Sequence, residues 1–189
     1  MIRIGILGDI GSGKSFVAEN FGFPVFNADL VVGKLYKKNK KVFAKLKKKL
    51  PKYFRKFPVS KNDISKAILD NNKNLNKIVK IVHVEVRKQM NIFLIKNKRK
   101  KIVILDIPLL LENKINRRKD ILIFVQSKRE QIFKRLKKRE NFNNKIFDNF
   151  KKIQLPLDYK KKKAHFIIKN NFTKKSVKDS VKKILKEIL

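Results

Sequence analysis

The run Gly8-Asp9-Ile10-Gly11-Ser12-Gly13-Lys14-Ser15 constrains this chain more than any other stretch. It matches G-x-x-x-x-G-K-[ST] and stands directly behind Ile2 to Leu7, an apolar run without helical period. A short apolar run that ends in glycines suits a buried parallel strand. Glycine tolerates the angles of a tight turn, so the N–H groups of such a loop point inward at phosphate oxygens. A helix from Lys14 to about Phe21 adds the partial positive charge of its N-terminus. Strand, glycine loop and helix in that order are the context in which this pattern means nucleotide binding. Lys14 then reaches the β- and γ-phosphates, and the Ser15 hydroxyl serves Mg²⁺. The expected ATP-binding residues are Gly8, Gly11, Ser12, Gly13, Lys14, Ser15 and Phe16. The loop by itself leaves kinase, GTPase, ATPase and helicase open.

The strand pattern returns along the chain. Pro24-Val25-Phe26, Ile102 to Asp106, Ile121 to Val125 and Phe166 to Ile168 join Ile2 to Leu7 as five short apolar segments. Helical spacing fills the intervals. Leu35, Val42, Phe43, Leu46 and Leu50 recur at that spacing, and Pro51 ends their helix. Leu75, Ile78, Val79, Val82, Val86, Met90, Phe93 and Leu94 mark an amphipathic helix of roughly five turns. Val177, Val181, Ile184, Leu185 and Ile188 line one face of a last helix. The expected fold is therefore α/β: a P-loop NTPase-type three-layer α/β/α domain around a five-stranded parallel sheet. One domain over residues 1–189 is expected, with a helical insertion at about 35–98 and a helical lid at about 128–160. Enclosure by such parts serves phosphoryl transfer, because excluding water prevents futile hydrolysis of ATP.

Two acids fall at strand ends, on the edge where ligands of open α/β sheets bind. Asp29 follows the second strand, and Asp106 closes the third behind four apolar residues. An acid there can orient an acceptor hydroxyl, take its proton, or hold Mg²⁺ through water. The competing reading is a helix N-cap, where Asp is favoured. Arg135 and Arg139 are four apart on a helical stretch, hence on one face, and can clamp a transferring phosphoryl group. Lys134, Lys137 and Lys138 beside them also fit a plain solvated basic face. His83 contacts substrate phosphate or caps the core edge. It and His165 lack a partner histidine at metal-ligand spacing, which argues against zinc.

Composition narrows the classes further. There is no cysteine, so disulfides, thiolate metal sites and cysteine nucleophiles are excluded, and a reducing cytosol is compatible. The chain opens straight into the first strand, so a cytoplasmic protein without a signal peptide is expected. The longest apolar run, Ile102 to Leu111, contains Asp106 and is too short to span a bilayer. The formal charge of +36 is extreme. Its lysines are spread over nearly the whole chain among asparagines and isoleucines, which fits a compositional bias that fills the surface with lysine. A basic nucleic-acid-binding protein switched by ATP is the competing class, but no recognised nucleic-acid module is present.

Taken together, these residues resemble the dephospho-CoA kinase family over nearly the whole chain. Gly5 to Ser15 is similar to that family's opening loop, and Ala28-Asp29 to the end of its Asp-Ala-Asp motif. His83 to Arg87 looks like its His-Pro-x-Val-Arg segment, and Asp106 to Glu112 follows its Asp-x-Pro-Leu-Leu-Phe-Glu motif. Gln154-Leu155-Pro156-Leu157, Lys160, Ala164, Ile168 and Asn170 repeat its late pattern. The resemblance implies transfer of the γ-phosphoryl of ATP, with Mg²⁺, to the ribose 3′-hydroxyl of dephospho-CoA. It implies Asp29 as the acid that orients the acceptor, and Lys14, Arg135 and Arg139 as catalytic partners. His83, Arg87, Pro108 and Leu109 would hold dephospho-CoA, and Ser15 and Asp106 would hold the metal. Dephospho-CoA is then the partner, with no specific nucleic acid, no membrane, and a monomer expected. The alternative is another small-molecule or nucleotide kinase of the P-loop type. The chain departs from the family pattern at Leu7, Asp9, Phe16, Asn27, Val84 and His165. Asn27 cannot assist as a carboxylate, and Asp9 places an acid near phosphates unless it points away.

Overall fold

The structure is a computed structural model that describes residues 1–138 and 142–189. Its elements, in chain order, are β1 (Ile2–Gly8), α1 (Lys14–Glu19), β2 (Val25–Asn27), α2 (Ala28–Lys38), α3 (Lys40–Lys49), α4 (Lys61–Asp70), α5 (Lys73–Lys96), β3 (Ile102–Asp106), β4 (Ile121–Gln126), α6 (Arg129–Lys137), α7 (Asn144–Lys152), α8 (Leu157–Lys163), β5 (Phe166–Lys169) and α9 (Lys174–Ile188). They divide into two compact units. The first holds the sheet and comprises residues 1–27, 97–142 and 153–189. The second comprises residues 28–96 and 143–152 and is helical.

All five strands of the first unit are parallel, in the order β2-β3-β1-β4-β5. The chain steps from β1 outward to β2, returns to β3, and then crosses to the other side of β1. That reversal puts the loop after β1 at the topological switch point, where open α/β sheets bind ligands. Ile4, Ile6, Ile102, Ile104, Ile123, Val125 and Ile168 pack one face against Val17, Ala18 and Phe21 behind the loop and Val177, Val181 and Ile184 of α9. Helix α8 lies against β1 and β4. Gly5 faces Leu110 and Leu122, with room for no larger residue: a Cβ there would sit 2.5 Å from Leu110 Cδ2. Strands buried on both faces read as continuous apolar runs, and these do.

At the start of β1, Arg3 is buried and donates to Asp120 Oδ2 at 2.9 Å. Burial pulls the guanidinium below its ordinary pKa, and the Asp120 charge pushes it back. The Arg117 N–H donates to the same carboxylate oxygen at 2.8 Å.

In the second unit the first helix starts at Ala28, directly after β2. The helix expected to end at Pro51 is two helices. The Asn39 side chain accepts from the Val42 N–H at 3.0 Å and starts α3 afresh. Ser60 and Asp63 form a reciprocal capping box at α4. This satisfies two N–H groups that a helix start leaves open. Helix α5 has 24 residues and buries Leu75, Ile78, Val82, Val86, Met90 and Leu94 along one stripe, against which α2, α3 and α4 pack.

Candidate active site

The glycine loop leaves β1 at Gly8 and enters α1 at Lys14. Gly11 and Gly13 have φ of 82° and 87°, in the left-handed region that favours glycine. Side chains of α6 come within 3.0–3.2 Å of where a Cβ on Gly11 would sit, so glycine also permits that approach. Lys14 is buried, and its Nζ donates to the carbonyls of Gly8 at 3.3 Å and Asp9 at 2.7 Å. The ammonium is thus held across the mouth of its own loop. The Asp9 carboxylate accepts from the Ile10 N–H at 2.7 Å, which gives this unusual acid a local partner. Ser15 is half-buried in the first turn of α1. Phe16 packs its ring against the core behind the loop.

Asp106 ends β3 opposite Asn27 of β2. It is buried, and Asn27 Nδ2 donates to its Oδ2 at 2.8 Å. Two carboxylates at that separation would repel, whereas the Asn27 amide supplies a donor to the Asp106 carboxylate. Among the described residues no three His, Cys, Asp or Glu gather as a metal cage. One buried carboxylate and one hydroxyl are hard oxygen donors, the set that suits Mg²⁺ shared with phosphates and water.

After Asp106 the chain turns through Pro108 and Leu109, both half-buried, to Glu112. Glu112 Oε1 accepts from Lys160 Nζ at 2.6 Å and from the Leu155 N–H at 3.0 Å. The pair is buried, with side-chain exposures of 9% for Glu112 and 2% for Lys160. Two segments that the sequence marks separately, Asp106 to Glu112 and Gln154 to Lys160, are therefore tied through one carboxylate. The sequence signal for that tie is only their joint occurrence.

Arg135 on α6 is exposed, and its guanidinium stacks 4.2 Å over the Phe172 ring. Arg139 lies outside the described residues. Asp29 is exposed in the first turn of α2, two positions after β2 ends. His83 and Arg87 are one turn apart on α5, the first half-buried and the second exposed. Sequence reasoning missed what Asn27, Ser127, Phe172 and the Glu112–Lys160 pair do. Each joins segments far apart in the chain, which a linear pattern does not connect. His165, where the family pattern has an acid, accepts from the Leu122 N–H at Nδ1 (3.0 Å) and so supports the β4–β5 pairing.

A dephospho-CoA kinase from Wolbachia sp. subsp. Brugia malayi is 33% identical over 187 residues, covering 96% of this chain and 95% of that protein. The crystal structure of TT1252 from Thermus thermophilus superposes with a TM-score of 0.76 at 26% identity, covering 100% of this chain and 98% of its own. Dephospho-CoA kinase from Campylobacter jejuni shares the fold, with a TM-score of 0.62 at 22% identity and coverages of 98% and 96%. A family model described as dephospho-CoA kinase matches residues 2–176, and the chain belongs to that family.

Proposed function

We infer that this chain is a dephospho-CoA kinase, which uses ATP to phosphorylate the ribose 3′-hydroxyl of dephospho-CoA, giving CoA and ADP. The observation that carries the reading is the family match over residues 2–176, which includes the glycine loop, Asp106 and the late segment through Asn170.

The proposed chemistry assigns roles to this chain's own residues. The N–H groups from Gly8 to Ser15, with that of Phe16, bind the phosphates of ATP. Lys14, released from the Gly8 and Asp9 carbonyls, follows the γ-phosphoryl group as it moves. Asp29 orients the 3′-hydroxyl and takes its proton as the new O–P bond forms and the bond to ADP breaks. Arg135 and Arg139 balance charge on the transferring group. His83, Arg87, Pro108 and Leu109 hold dephospho-CoA. Ser15 and Asp106 would hold Mg²⁺, which would supply charge neutralisation on the phosphates. The enzyme is proposed to work in the cytoplasm as a monomer, without specific nucleic-acid or membrane partners. Among the described residues no helix is long and apolar enough to cross a membrane.

The test supplies ATP, Mg²⁺ and dephospho-CoA and follows ADP and CoA. Formation of both, dependent on the acceptor, is expected. Folded protein that releases no acceptor-dependent ADP would overturn the reading.

A further inference from the structure

The carbonyl of Ser12 has an unusual set of partners. Ser127 Oγ donates to it at 2.9 Å, and Asn170 Nδ2 donates to it at 2.8 Å. Ser127 is the first residue after β4, and Asn170 is the first after β5. The ends of β4, which neighbours β1, and of β5, the next strand out, thus converge on one peptide of the loop that follows β1.

The geometry of Asn170 is fixed on every side. Its own N–H donates to the Gln126 carbonyl at 2.7 Å, which anchors its backbone to the sheet. Its Oδ1 accepts from the Phe172 N–H at 2.8 Å. That bond orients the amide, so its nitrogen faces Ser12. Both Asn170 and Ser12 are buried, at 2% and 1% exposure, where a hydrogen bond is poorly replaced by water. The fit also reaches Gly13, where a Cβ would stand 2.3 Å from Asn170 Nδ2.

A peptide unit is planar and trans, so its C=O and N–H point in opposite directions. Holding the Ser12 carbonyl toward the strand ends turns the Gly13 N–H to the other side, into the loop. We propose that Asn170 and Ser127 are positioning residues for the phosphate loop, acting together on the Ser12 carbonyl to preset the Gly13 N–H for a nucleotide phosphate. Asn170 adds a second effect through Phe172. The bond to Oδ1 holds the turn in which Phe172 has φ of 65°, and the ring in that turn carries Arg135.

The proposal rests on the kinase reading only in taking the loop as an ATP site. Its test measures binding of a fluorescent N-methylanthraniloyl ATP analogue, without acceptor, to the full chain. Ser127→Ala and Asn170→Ala should each weaken that binding about threefold to fivefold, because the other donor remains. The double variant should weaken it by clearly more than the product of the two, about thirtyfold or beyond, since both side-chain donors are then gone. Asn170→Asp keeps the acceptor for Phe172 but loses the donor, and should bind as weakly as Asn170→Ala. Dephospho-CoA affinity should stay within about twofold of the parent throughout. Single and double variants that bind the analogue within twofold of the parent would overturn the proposal. So would losses that fall equally on dephospho-CoA, the mark of a merely structural role. If Asn170→Ala does not fold, Ser127→Ala and Asn170→Ser carry the same comparison. A parent that binds the analogue with this variant pattern but makes no CoA would leave the proposal standing and remove the kinase reading.

Discussion

Replacing Lys160 by methionine should cost this protein a large part of its stability. The ammonium of Lys160 lies 2.6 Å from Glu112 Oε1, with side-chain exposures of 2% and 9%. Methionine keeps most of the stem and removes the charge. Glu112 is then left with the Leu155 N–H, 3.0 Å away, in a place that water hardly reaches. Removing one partner of a buried pair costs about 3–5 kcal/mol, because the remaining charge is stranded. For a chain of this length each kcal/mol moves the melting temperature by about 2–4 °C, so a drop of about 6–20 °C is expected. Thermal unfolding followed by circular dichroism, with urea titration as a second route, measures it. Since the pair is shielded from solvent ions, the loss should persist in about 1 M NaCl, where the Debye length is about 3 Å. A Lys160→Met, Glu112→Leu double variant should recover most of the loss, because no charge remains to be stranded. A single variant within about 1 kcal/mol of the parent, or a double variant worse than the sum, would refute the reasoning.

Lys14→Ala and Asp29→Asn should each lower kcat at least about a hundredfold while the circular dichroism spectrum is unchanged; a fully active Asp29→Asn variant would remove the proposed acid role. Gly13→Ala should destabilise the fold by about 1–3 kcal/mol and raise the KM for ATP, since its φ of 87° and the Asn170 amide both oppose a Cβ. Burial holds the Tyr36 phenol above its ordinary pKa of about 10. Above that pH the unfolded chain releases the proton while the folded chain keeps it, so stability present below about pH 10 falls as pH rises toward the folded value. Tyr36→Phe should remove this part, so the variant should gain on the parent by about 1.4 kcal/mol per pH unit above pH 10 in urea titrations.

The parts of this fold that repeat locally were legible in the sequence. The five strands are short runs of Ile, Val, Leu and Phe, and α5 carries its buried residues at helical spacing, so both periodicities are visible along the chain. The loop was legible because its glycines, Lys14 and Ser15 must be contiguous. Where a helix ends was less visible. Asn39 splits α2 from α3 through one side-chain bond, with no proline or glycine to announce it. The strand order was not visible either, since β1 and β3 are neighbours with 93 residues between Gly8 and Ile102. The site followed the same rule. Asp106 stands out as a candidate from its place after an apolar run, but its partner Asn27 comes from a register between strands 79 positions apart in sequence. Asn170 and Ser12 are 158 positions apart, and only the folded sheet brings them together.

The buried pairs also say something about which changes this chain can absorb. It has 51 lysines and arginines against 15 aspartates and glutamates. Cations are abundant and, on the surface, nearly interchangeable. Acids are scarce, and many have an appointed donor: Asp9 holds Ile10, Asp63 holds Ser60, Asp106 meets Asn27, Glu112 takes Lys160, and Asp120 takes Arg3. Mutational tolerance should therefore be lopsided by charge sign. Most lysines can drift to other polar residues with little effect, while a lost carboxylate has no spare neighbour to stand in for it. In a chain this basic, the durable record of the architecture is written in its few acids.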